Sequence, residues 1–455
     1  MDLSLDITSV LAGILLFAVF LSFILKALQV REKKAAKRAA ITAAAVILPF
    51  FIFPFLPIAA EITFLALIAV IILVILILLF LPIGRVSVGR EIPAERFDER
   101  DIPFSRFRLE PGSSRYRDYY KHHPEAEEAD DKVRLLPGLL SLEAKKTTPL
   151  TTAAAMASFQ FNEELKDKVD GGDREELEEL KNSVSEISAA ELTGWVKRLS
   201  LFYGARHSGI AELKSYHLYS HIGRGAGHYG APINLAHRYA IAFTVEMRNE
   251  MIQQGPGPGT VMESAREYAN AAHIALQLTI FLRNLGYSAR AHIDGNYRVI
   301  CPLVARDAGL GEIGRLGFLI TPDLGPRVRI AVVTTDMELL PDNYIPDASV
   351  IDFCNFCMKC ADSCPAGAIP TDNRQEYQGA LRWRIDADSC FKYWNIIGTD
   401  CGRCMAVCPY SHGPLYSASL VGKLVKHSGF ARRALLWLDD LFYGRKPGSH
   451  SKLYF

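Results

Sequence analysis

The chain has 455 residues, 51 Lys+Arg against 50 Asp+Glu, 49% hydrophobic residues and a mean hydropathy of +0.11. These values exclude a disordered chain, a collagenous repeat and a disulfide-stapled miniprotein, and the near-neutral charge gives no electrostatic footprint for nucleic acid. The averages conceal two materials, because residues 1–83 hold only ten charged side chains and eight of the nine cysteines fall between Cys354 and Cys408.

Residues 7–25, 39–60 and 62–83 are uncharged runs, each about the length a helix needs to cross a bilayer. They predict a three-helix transmembrane anchor over residues 1–83, with Pro49, Pro54 and Pro57 kinking the second run or making it re-entrant. No basic stretch precedes the first run and no twin-arginine motif occurs, so the head reads as an anchor and not as an export signal. Arg31, Lys33, Lys34, Lys37 and Arg38 fill the first loop. That loop, and everything after Arg85, is therefore expected on the cytoplasmic side of the inner membrane. The head holds no histidine, so its helices offer no paired imidazoles to a haem.

Residues 84–131 are rich in Arg, Glu, Pro and Tyr without a sustained period, which predicts an extended arm packed on the body. Residues 132–350 read as an α/β core. Strands are expected at His237–Met247, Tyr297–Ala305 and Arg329–Thr335, and a long buried helix from a Thr260/Glu263 capping box to Gly286. Gly225-x-Gly227-x-x-Gly230 matches the dinucleotide fingerprint by letter, but Pro232 and the strand from His237 leave no room for the helix that would bind a pyrophosphate. A glycine-rich loop against a large planar cofactor stays open.

The strongest signal lies in residues 351–415. Cys354-x2-Cys357-x2-Cys360-x3-Cys364-Pro365 has the spacing of a bacterial two-cluster ferredoxin, and Cys390 and then Cys401-x2-Cys404-x3-Cys408-Pro409 follow. The cysteine before each proline reaches across to the other cluster. On that logic Cys354, Cys357, Cys360 and Cys408 hold one [4Fe–4S] cluster, and Cys364, Cys390, Cys401 and Cys404 hold the other. A zinc site has no need of eight thiolates in this order. Cys301 is left as a buried thiol in a strand, and residues 416–455 are expected to pack on the core.

The block AGLGEIGRLGFLITPDLGPRVRI (Ala308–Ile330), followed by VVTTD and the two CP-terminated cysteine sets, resembles the corrinoid- and iron–sulfur-dependent reductive dehalogenases. FDERDIPFSR (Phe97–Arg106), YYKHHPEAEEAD, CFKYWNIIGTDCGRC and DDLFYG extend the resemblance over roughly residues 88–445. It implies a mixed α+β and α/β fold, with a nitroreductase-like cobalamin-binding core beside the ferredoxin-like module. It also implies a base-off cobalamin with no D-x-H-x-x-G histidine, a motif this sequence lacks. Family positions carry over as Tyr268 for the proton donor, Arg329 for its cationic partner and Asn296 for a pocket amide. The resemblance makes Arg315 structural or cofactor-contacting, and the glycine-rich loop makes Gly225 and Gly227 the cofactor-binding candidates. A phenol of ordinary pKa about 10 suits proton delivery beside a strong reductant, and a guanidinium stabilises the phenolate left behind.

The resemblance makes this chain an oxidoreductase that removes halogen from a small organohalide. Electrons would come from an external donor such as a ferredoxin, a flavodoxin or a membrane quinol-linked protein. Fused helices in place of an export signal distinguish it from respiratory members of the family. Two other readings compete. An epoxyqueuosine-reductase-like enzyme would want a basic RNA face, which a soluble body with 45 basic and 46 acidic residues does not offer. A non-catalytic membrane iron–sulfur electron-transfer protein would lack the corrinoid.

Overall fold

The computed structural model describes residues 3–29, 32–52, 55, 57–80, 88, 92–169, 186–412 and 420–448. The chain divides into two compact units, residues 1–86 with 415–447, and residues 87–414 with 448–455.

In the first unit, helices span Leu3–Gln29, Lys33–Ile52 and Ile58–Phe80. The stretches Ile7–Gln29 and Lys33–Ile52 are long and apolar enough to cross a membrane, whereas the apolar stretch Ile62–Leu78 of the third helix is shorter. The second helix stops at Ile52, eight residues before the end of its apolar run, and Pro57 directly precedes the third helix. Pro54 lies outside the described residues. Small side chains bring the first two helices together, with Ala27, Ala35, Ala36 and Ala39 buried between them and Phe442. The C-terminal helices Leu420–His427 and Gly429–Phe442 belong to this unit. Phe442 packs on Phe23 at 4.9 Å between ring centroids, and the Ser428 hydroxyl donates to the Leu78 carbonyl at 3.1 Å. Of the segment expected to pack on the core, the described residues 420–447 group with the N-terminal helices, on which Gly429–Phe442 sets its apolar stripe.

The second unit is built on a four-stranded antiparallel sheet. Its strands are β1 (His207–Glu212), β2 (Tyr239–Glu246), β3 (Ala289–His292) and, after the two-stranded β4 (Glu312–Ile313) and β5 (Leu319–Ile320), β6 (Val328–Thr335). The order is β1-β2-β6-β3. Successive side chains of a strand point to opposite faces. Ile241, Phe243 and Val245 of β2 meet Ile274, Leu278 and Leu282 of the long helix Pro258–Asn284, while Ala240 and Ala242 meet Val304 and Ala305 on the other face. Both faces are thus covered by helices. All three strand pairs are antiparallel, which makes the core α+β in place of the α/β body expected for residues 132–350.

Several expectations change locally. Tyr297–Ala305 is not a strand. Val299 makes an isolated bridge to Leu218, and a helix begins at Cys301 with Pro302 in its first turn, where a missing N–H costs nothing. Cys301 is therefore a buried helical thiol. The long helix begins at Pro258 behind Gly257, not at a Thr260/Glu263 box. Glu263 is fully buried and its carboxylate accepts the Arg248 backbone N–H at 2.6 Å, so it holds a neighbouring turn. The arm is not extended. Helices at Pro103–Phe107, Ser114–His122 and Pro124–Arg134 bury Tyr116, Tyr119 and Tyr120, and helices this short leave no sustained period to detect. No helix follows the glycine loop, whose next strand is β2.

Candidate active site

Local backbone geometry gathers the cysteines. Asp347 caps the helix Ala348–Cys357, which places Cys354 and Cys357 one turn apart on one face. Met358 then turns the chain through the left-handed region at φ 55° and brings Cys360 round beside them. Gly402, at φ 63°, makes the equivalent turn between Cys401 and Cys404. Cys354, Cys357, Cys360 and Cys408 line one small cavity together with Arg315, Lys359 and Tyr410. Burial pushes the Cys354 thiol up to about 11 and the Cys360 thiol up to about 12. The Cys408 thiol is raised by burial and then by Cys354, Cys357 and Cys360. The second set is gathered in the same way. Cys404 is raised by burial and by Cys401, Cys360, Cys390 and Cys364. Cys390 is pushed up to about 12 by burial and by Cys401 and Cys364.

Among the described residues no three His, Cys, Asp or Glu side chains close on a single ion. A tetrahedral zinc site would hold thiolates about 3.8 Å apart, from a Zn–S bond of about 2.3 Å.

Arg315 braces the first set. It is 1% exposed, its Nε donates to the Cys354 carbonyl at 2.9 Å, and its Nη1 donates to the Pro370 and Asp372 carbonyls at 2.8 Å each. Its guanidinium lies 4.8 Å from the Trp383 ring centroid. The residue ties three stretches of the module to one point.

A second constellation forms where the long helix, β6 and the segment before Cys401 meet. The Arg329 guanidinium stands 4.5 Å from the centroid of the Tyr268 ring. Arg329 Nη2 donates to the Ser264 hydroxyl at 2.5 Å and pairs with the Asp400 carboxylate at 3.3 Å, while Ser264 donates to Asp400. Burial pushes the Tyr268 phenol up to about 12; Arg329 opposes this, and Asp294 and Asp400 add to it. Tyr268 is half-buried. Arg329 Nε is buried without a hydrogen-bond partner among the described residues.

Asn296 stands apart from this pair. It is fully buried, its Oδ1 accepts from Arg290 at 2.8 Å, and its Nδ2 reaches the Lys166 carbonyl at 3.5 Å. It packs under Gly225, where a Cβ would come within 2.6 Å of Oδ1. The glycine is thus required by Asn296, at a φ of +78° that also favours it. Gly225 and Gly227 line a cavity of about 480 Å³ with Arg108 and Arg115. A larger cavity of about 1310 Å³ is lined by Tyr219, Pro302, Gly314, Gly317, Trp383 and other residues of the core, the arm and the module.

Sequence reasoning missed Ser264 and Asp400. Ser264 lies one helical turn before Tyr268, and Asp400 directly precedes Cys401, so each was within reach of a one-turn or one-residue extension of the motif.

A 4Fe–4S dicluster domain family matches residues 353–412. The tetrachloroethene reductive dehalogenase of Sulfurospirillum multivorans is 35% identical over 210 residues, covering 44% of this chain and 41% of the relative. That of Desulfitobacterium hafniense is 39% identical over 182 residues, covering 38% and 32%. The chain thus spans less than half the length of these curated relatives. In fold it is similar to a catabolic reductive dehalogenase, NpRdhA, with a TM-score of 0.59 and 23% identity over 80% of this chain and 49% of the other. Over the matched stretches this chain is similar to the reductive dehalogenases.

Proposed function

We propose that this protein is a membrane-anchored reductive dehalogenase that uses a base-off cobalamin and two [4Fe–4S] clusters. Its substrate class is a small organohalide, with chlorinated ethenes the first candidates given what the relatives are named for. The observation that carries this reading is the Tyr268 phenol under the Arg329 guanidinium, fixed by Ser264 and by the aspartate adjoining a cluster cysteine. The antiparallel sheet with helices on both faces serves as the nitroreductase-like core, and the basic first loop sets the body on the cytoplasmic side.

The cysteines present fit the two clusters. Two sets of four thiols, with Cys404 and Cys408 raised by burial and by the neighbouring cysteines, suit ligation by thiolates, which the iron would stabilise. Cys354, Cys357, Cys360 and Cys408 would hold one cluster, and Cys364, Cys390, Cys401 and Cys404 the other. The cavity of about 1310 Å³ is walled on one side by the module, and Tyr268 and Arg329 are not among its lining residues. When bound, the corrinoid supplies the strongly reducing centre at which the carbon–halogen bond breaks.

The overall change takes two electrons and one proton, and exchanges a carbon–halogen bond for carbon–hydrogen with release of halide. Tyr268 delivers the proton from its hydroxyl to carbon. Its raised pKa makes it too weak an acid to spend protons on the reductant, and Arg329 holds the phenolate until it is reprotonated. Asp400 and Ser264 hold Arg329 over the ring. Protein reconstituted with iron, sulfide and cobalamin, supplied with a low-potential chemical reductant, is expected to bind corrinoid and release halide from chlorinated ethenes. Failure to bind corrinoid would overturn the reading and favour a membrane electron-transfer protein.

A further inference from the structure

We propose that the C-terminal helices Leu420–His427 and Gly429–Phe442 form a membrane-surface element that lies on anionic phospholipid at the basic end of the anchor. The inference rests on the anchor reading above and assigns a second lipid contact to the same unit.

The contacts of these helices fix their level along the anchor. Phe442 packs with Ala27, near the end of the first helix, and with Ala35, Ala36 and Ala39, at the start of the second. Arg38 Nη1 donates to the carbonyls of Leu441 at 3.3 Å and Phe442 at 3.4 Å. Ser428, the cap of the last helix, reaches Leu78 near the end of the third. All three attachments are at one end of the bundle, the end that carries the basic loop and where the apolar helices leave the hydrocarbon.

At that level the last helix buries Ala431, Arg432, Asp439 and Phe442 and turns Trp437, Leu438 and Leu441 outward, 65%, 37% and 37% exposed. Residues at i, i+1 and i+4 share one side of a helix, so the three form a single apolar patch. The first helix of the same unit also turns apolar side chains outward, with Phe17 and Leu25 54% and 57% exposed. An indole at the boundary of water and hydrocarbon keeps its N–H wet and its rings in the acyl region. Lys33, Lys34, Lys37, Lys423, Lys426 and Arg433 are exposed on the same unit. Basic residues beside an amphipathic helix match the negative charge of anionic headgroups. Charge complementarity and attachment to the anchor both point to lipid as the occupant.

The test uses the full chain in vesicles of phosphatidylglycerol and phosphatidylcholine, the latter brominated at shallow or deep acyl positions. Tryptophan emission of the wild type is compared with that of Trp437→Phe, and Phe17→Trp in the Trp437→Phe background reports the anchor. The expected result is a quenched Trp437 signal, quenched more by shallow than by deep bromines, alongside a Phe17→Trp signal that deep bromines quench. A quenched anchor with unquenched Trp437 would overturn the proposal and assign the patch to a protein partner, leaving the anchor intact. Deep-only quenching of Trp437 would overturn the surface placement. No quenching at either site would overturn the anchor reading, and this proposal with it.

Discussion

The cysteine module and the Tyr268 corner lie side by side in one unit and are built on opposite principles. Cys354, Cys357 and Cys360, and likewise Cys401 and Cys404, come from single stretches of chain in which a helical turn and a left-handed residue bring thiols together. The Tyr268 corner takes one residue pair from a long helix, one from a central strand and one from the loop before Cys401, and exists only when all three are docked. Damage to the module should therefore remove a cofactor outright, whereas damage to the corner should leave both cofactors bound and spoil proton delivery.

The largest expected effect breaks the module. Cys404→Ser should lose one cluster's iron and sulfide and reduce turnover to background, as iron analysis and EPR of the reduced protein would show. If both cluster signals persisted, the second ligand set would be wrongly assigned. Arg329→Met should come next. Losing the cation that steadies the phenolate should lower turnover by about 10²-fold, with iron and corrinoid content unchanged. Asp400→Asn frees Arg329 without removing it, so a loss of about tenfold is expected.

The same variant sharpens the comparison through pH. The folded Tyr268 pKa is raised above the ordinary phenol value, so the neutral form is favoured. Its stabilising contribution is full below pH about 10 and is lost as pH rises through about 12. Wild-type turnover should therefore show no loss from Tyr268 ionisation across neutral pH and fall in strong base. In Asp400→Asn the fall should move to lower pH, because the Asp400 charge is one of the groups that raise Tyr268. The smallest effect tests the docking between the two regions. A methyl at Gly402, φ +63°, would lie 2.7 Å from Thr260 Cγ2 on the long helix. Gly402→Ala should cost about 1–2 kcal/mol of stability from the left-handed backbone alone, read as a lowered Tm.

What could be read from the sequence follows the same division. The eight cysteines were legible because their spacing encodes their proximity. Tyr268 and Arg329 were legible through family resemblance, 61 residues apart in the chain with nothing local to link them. Asn296 came from the same resemblance, but its amide is engaged by Arg290 and Lys166 beneath Gly225, a burial that residue type alone does not reveal. β2 and β6 were evident from continuous apolar runs buried on both faces, while Tyr297–Ala305 misled because an apolar run around Pro302 serves a helix start as well as a strand. The Thr260/Glu263 pattern misled for a related reason, since Glu263 is consumed by a distant Arg248. The C-terminal helices carried an amphipathic signal, but nothing in their sequence said which unit would complement it.

The most direct measurement of the central claim is halide release and corrinoid content in one preparation of Tyr268→Phe holoprotein, set beside the wild type. The account predicts equal corrinoid and equal cluster signals in the two proteins, with turnover of the variant lower by about 10²–10⁴-fold. Turnover undiminished in the variant, with cofactors intact, would contradict it.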